Sequence, residues 1–159
     1  MRYAVFNKKT PHIMYKKLLK SLFCEPVSSS TKSLVLLLAR IIFGALFLAH
    51  GITKMHIYSE MPELFPNPIG LGSTLSLWLV LFAEILCSLG FILGILFRLC
   101  LIPMIFTMCI AFFVIHAGDP FAAKELSLMY LTIFALLYIT GPGRYSIDGI
   151  LKSIYSSLQ

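Results

Sequence analysis

The sequence predicts an all-α protein, an integral membrane four-helix bundle with an N-terminal amphipathic helix. Three observations carry that prediction. Of 159 residues, 58% are hydrophobic and 13% charged, with a mean hydropathy of +0.89, well outside the range of a water-soluble domain. The apolar residues gather in four separated segments, each about as long as the hydrocarbon core is thick when wound as a helix. Cap and turn residues punctuate the gaps between segments. One membrane domain over residues 34–152 is expected, after a basic tail and linker at 1–33 and before a short tail at 153–159.

Residues Thr10 to Phe23 read TPHIMYKKLLKSLF, with lysines at 16, 17 and 20 set against a helical stripe of apolar residues. Thr10 suits an N-cap and Pro11 the first helical position. This helix is expected to lie on the inner leaflet. Glu25 to Ser33 reads as a Pro/Ser-rich linker. The first 33 residues lack the short apolar run and cleavage site of a signal peptide, so a retained tail is expected.

The first span is expected over residues 34–52, carrying Arg40 about two turns in and His50 near its far end. Thr53 to Thr74 reads as a Pro- and Gly-containing loop bearing Lys54. The second span, 75–97, contains one ionisable side chain, Glu84, near its middle, and a Gly90/Gly94 pair whose GxxxG spacing favours close helix approach. Arg98 marks a turn so short that the second and third spans must be antiparallel. The third span, 99–116, has Pro103 in its first turn or so, where a missing backbone donor costs little. Asp119 and Pro120 read as N-cap and first position of the fourth span, 120–140, which Gly141-Pro142-Gly143 stops.

Lys and Arg set the topology. Seven precede the first span, Arg98 sits in the second connection, and Arg144 and Lys152 follow the fourth span, whereas only Lys54 and Lys124 fall on the other side. Both termini are therefore expected in the cytoplasm of a bacterial inner (plasma) membrane. The net charge of +6 is concentrated near the N-terminus, which suits anionic lipid headgroups; no basic face suggests nucleic acid. Cys24, Cys87, Cys100 and Cys109 form no CxxC pair and read as free thiols.

A carboxyl group deep in a membrane is costly as an anion, so Glu84 should be protonated, paired or turned toward a hydrated interior. By helical rise Arg40 lies about 9 Å from the inner end and Glu84 about 13 Å from the outer end. A reaching arginine can largely close that gap, and the two are expected to pair, or to share water, inside the bundle. His50 and His116 fall at nearly one level, with Lys54 close by, so the outer half should hold a polar mouth above a buried acid. That arrangement can pass protons or receive the head of a lipophilic molecule such as a quinone. Two histidines at equal depth could also ligate a b-type haem, but nothing else in the sequence supports it, and no metal site is expected.

Arg40-Ile-Ile-Phe-Gly44, Phe47-Leu-Ala-His50-Gly51 and Lys54, then Ala83-Glu84, Gly90, Leu93-Gly94 and Arg98, then His116 and Glu125, and last Gly141-Pro142-Gly143-Arg144-Tyr145-Ser146-Ile147-Asp148, together resemble the DoxX family of four-span membrane proteins. The resemblance covers about residues 34–152, and its most specific pieces are the closing GPGRYSID and the pattern in the first span. It implies the fold and membrane placement. Members are named for a membrane subunit of a thiosulfate:quinone oxidoreductase, and others are associated with thiol and oxidative-stress proteins.

No CxxC, haem-attachment or flavin motif is present, so no complete catalytic motif marks an enzyme; electrons would need a partner or a bound quinone. The expected function is an accessory or quinone-interacting subunit of a membrane redox system. In it, Glu84 handles protons or binds quinone, Arg40 is its countercharge, and His50, Lys54 and His116 line the outer mouth. The alternative is a non-catalytic membrane scaffold recruiting a soluble oxidoreductase or stress-response partner. Transport would require the chain to form a homo-oligomer. In the closing motif, Arg144 and Asp148 are spaced to pair if that segment is helical, and the motif is expected to fold the tail against the inner helix ends.

Overall fold

Strongly apolar stretches with all their backbone groups satisfied internally are stable in a bilayer as helices, and the computed structural model, which describes residues 28–157, places four of them in sequence. They are α1 (Ser29–Tyr58), α2 (Ser73–Leu93), α3 (Phe97–Ile115) and α4 (Phe121–Thr140), with mean hydropathies of 2.2, 2.2, 2.3 and 1.5 over their most apolar windows. A fifth helix, α5 (Ile147–Ser157), follows the GPG turn. No strand occurs among the described residues. The amphipathic helix expected over Thr10–Phe23 lies outside the described residues, as does Cys24.

α1 is longer at both ends than the 34–52 span expected for it. The Ser28 side chain accepts from the Thr31 amide at 3.1 Å, so the last linker residues are already helical. At the far end no proline intervenes until residue 62, and Tyr58 packs edge-on against Phe65 at 5.2 Å. The helix therefore continues through Lys54, which the sequence had suggested was loop. Thirty residues make it about 45 Å long, more than a hydrocarbon core.

α2 is not a uniform helix: Phe82–Leu86 forms a π turn between two α segments. It ends at Leu93, short of the 97 expected, because Gly94 adopts the left-handed conformation at φ 69°. Gly94 is thus a helix stop rather than half of a helix-packing GxxxG. A side-chain carbon there would collide with the Arg40 guanidinium and with Ser146. Its partner Gly90 does serve close packing, since a Cβ at Gly90 would lie 2.6 Å from Cys100 Sγ on α3.

α3 starts at Phe97, two residues before the expected position, so Arg98 belongs to its first turn. Pro103 consequently sits inside the helix, where it removes one backbone hydrogen bond. A second π turn, Ala111–Ile115, closes α3. Asp119 does not cap α4; Pro120 is the N-cap residue, and the Asp119 carboxylate meets His116 Nδ1 at 2.7 Å instead.

The bundle core is aromatic. Phe47 of α1 meets Phe134 of α4 edge-on at 5.0 Å, and Phe91 of α2 stacks on Phe97 of α3 at 5.2 Å. Leu101 and Met104 are fully buried beside them. Large apolar side chains such as Leu38, Ile42, Phe106 and Ile139 point outward instead. That outward apolar surface suits acyl chains and would be a liability in water.

Candidate functional site

Among the described residues two charged side chains are buried within the bundle, Arg40 at 1% exposure and Glu84 at 0%. They do not pair. Arg40 is held at the end where α2 gives way to α3: its Nη2 donates to the Tyr145 carbonyl, its guanidinium lies 6.0 Å from the Phe97 ring centre, and it packs on Gly94. The expected Arg40–Glu84 pair fails because the GPG turn brings a backbone carbonyl within the arginine's reach on its own level.

The closing motif makes this end a clamp. Gly141 and Gly143 have φ of 82° and 78°, conformations that favour glycine, and Pro142 lies between them. The Arg144 amide donates to Ser33 Oγ on α1, and the Asp148 amide donates to the Gly94 carbonyl at 3.0 Å. The two Asp148 carboxylate oxygens accept from the Leu96 and Phe97 amides at 3.1 and 2.9 Å, so this side chain caps α3 from another helix. Arg144 therefore does not pair with Asp148: α5 begins only at Ile147, and the carboxylate is turned to α3. Spacing alone could not reveal that α3 lacks a cap of its own until the tail supplies one.

The opposite end holds Glu84, at the centre of the π turn. Gly51 of α1 lies directly against it; a Cβ at Gly51 would sit 2.8 Å from Glu84 Cβ. That close approach sets Lys54, one turn on, over the acid, and Lys54 Nζ donates to Glu84 Oε1. The lysine side chain keeps about a third of its surface exposed, whereas the carboxylate has none. Glu84 Oε2 has no hydrogen-bond partner, and neither has the buried Ser88 hydroxyl, which the four-residue spacing places on the same side of α2 one turn away. Helical period could have pointed to Ser88 from sequence; the π turn had no sequence signal.

Of the two histidines, His50 lies edge-on to the Tyr130 ring of α4 at 5.9 Å and is close enough to Glu84 to interact electrostatically. Tyr130 is a neighbour that sequence reading did not single out. His116 is engaged locally with Asp119 and is not brought into contact with Glu84. Among the described residues no group of three or more His, Cys, Asp or Glu side chains is placed to hold a metal ion. Cys87, Cys100 and Cys109 form no disulfide.

Four apolar crossings, with an ion pair inside them and an outward apolar surface, define a small multi-pass membrane protein. The chain belongs to the DoxX family: the family model described as DoxX matches residues 35–117, covering α1 to α3. A protein of Haemophilus influenzae, named only as uncharacterized, is 25% identical over 128 residues, spanning 76% of this chain and 85% of the relative. No solved structure matches.

Proposed function

We propose that this DoxX protein is an accessory subunit of a membrane redox system, in which Glu84 exchanges protons with a lipid-soluble electron carrier of the quinone class. One observation carries the reading. Glu84 is a fully buried carboxylate with one oxygen on Lys54 and the other without a partner. A buried polar atom left unsatisfied is costly, and a group that tolerates the cost is suited to giving and taking a proton or a hydrogen bond from a visiting head group. Lys54, about a third exposed, is the countercharge and the link to the surface. His50 and Tyr130 flank it. Quinone reduction consumes two protons with two electrons; the electrons come from a partner, since this chain carries no redox motif.

The proposal includes a bacterial inner membrane with both termini cytoplasmic. Arg98, Arg144 and Lys152 share the clamp end, while Lys54 and Lys124 share the other, and an excess of cations favours the cytoplasmic side. The test is lipid extraction from the purified protein followed by quinone analysis, comparing the natural chain with Glu84→Gln. Co-purifying quinone that disappears in a folded Glu84→Gln variant is the expected result. Equal retention would remove Glu84 from the mechanism. Loss of a co-purifying soluble oxidoreductase on deleting residues 1–30, with quinone absent throughout, would favour the scaffold reading instead.

A further inference from the structure

We infer that the groove at the clamp end binds an anionic phospholipid, with its headgroup among Arg98, Arg144 and Lys152 and an acyl chain along α1. The groove is an open cavity of about 1070 Å³ between α5, the start of α3 and the first turns of α1. Its lining brings together these three cations, which the sequence scatters over 55 positions, with the hydroxyls of Ser30 and Ser153. Asp148 is the sole acid in the lining, and its carboxylate is taken up by the Leu96 and Phe97 amides. Among the described residues none of the three cations forms an ion pair. A positive site of this kind calls for an anion.

Two further features select a lipid over a soluble anion. A second, smaller cavity of about 400 Å³ shares Ser30 and Tyr145 with the first and is otherwise lined by Thr31, Leu34 and Leu37, so a cation-bearing groove of mixed lining opens beside a more apolar one, as a headgroup and its chain require. The second is α5. Ile147, Ile150, Leu151, Ile154 and Tyr155 recur at helical spacing, all are exposed, and no residue of the helix is buried. Leaving the clamp at the membrane edge, this helix buries its stripe only by lying in the leaflet. That posture sets Lys152 at phosphate level, where each cation is worth about a fivefold gain in affinity for anionic lipid.

The site lies at the other end of the bundle from Glu84 and does not depend on the redox reading. Native mass spectrometry of the full chain with phosphatidylglycerol or phosphatidylcholine tests it. The natural chain is expected to retain phosphatidylglycerol at least tenfold better, and the double variant Arg98→Gln/Lys152→Gln to bring the two lipids near parity. Both side chains are exposed, and an unchanged helical signal and melting midpoint in phosphatidylcholine would certify the fold. If that double variant does not fold, Lys152→Gln alone should still lower the preference about fivefold. Three results would overturn the inference: equal retention of the two lipids by the natural chain, an unchanged preference in the folded variant, or loss of preference only on neutralising Lys16, Lys17 and Lys20. Stabilisation by inorganic phosphate equal to that by the lipid would likewise overturn it.

Discussion

The two ends of the bundle treat a buried charge in different ways. At the clamp end Arg40 donates from Nη2 to a backbone carbonyl and packs on an aromatic face with Asp148 nearby, while its Nε and Nη1 have no hydrogen-bond partner. At the other end Glu84 faces one long, partly exposed lysine and leaves an oxygen bare, inside a helix locally widened to a π turn. π turns inside α-helices are frequent at functional sites. A charge that ties three elements together reads as architecture. Unpartnered polar atoms occur at both ends, so what sets Glu84 apart is a partner that reaches the surface and a π turn in its own helix. The closing GPGRYSID motif thus makes contacts that tie α1, α3 and α5 together, and on the proposal above the acid in the middle of the chain is the group that handles protons.

That contrast can be broken by substitution, beginning where the effect should be largest. Arg40→Leu leaves the Tyr145 carbonyl without its donor and removes the packing of a long buried side chain, and should destabilise by about 2–4 kcal/mol, read as a fall in the melting midpoint in detergent; an unchanged midpoint would deny Arg40 its structural role. Lys54→Ala strands a buried acid and should cost about 2–4 kcal/mol, most of it recovered in Lys54→Ala/Glu84→Gln. A double variant no more stable than the single would mean that Glu84 is not charged in the resting protein. Asp148→Ala exposes two amides at the start of α3 and should cost about 1–3 kcal/mol, with Asp148→Asn less affected; hydrogen exchange at Leu96 and Phe97 is the direct measurement. Ser88→Ala should change stability by less than about 1 kcal/mol, because its hydroxyl has no bond to lose. A larger loss there would reveal a partner and weaken the contrast.

Much of this was legible in the chain. Helices in a membrane are local objects: each closes its own hydrogen bonds, so composition and length suffice to find the four crossings, and cap residues such as Gly141 locate their ends. The place of Glu84 near the middle of the second apolar helix was legible for the same reason. What the residues could not disclose was pairing across helices. By sequence Arg40 is expected to reach Glu84 and Lys54 to lie in a loop; the continuation of α1 past Gly51 brings the lysine over the acid, and the GPG turn draws the arginine away. The cap that Asp148 provides to α3, the break at Gly94 and the π turn around Glu84 belong to the same class. Each depends on where a remote segment comes to rest. By itself the sequence determined how many helices are apolar enough to cross a membrane and where along each one its charges sit, because those follow from apolarity and a fixed rise per residue. Only the tertiary structure decided which charge meets which, because that depends on helix rotation and on backbone groups that look identical at every position of a sequence.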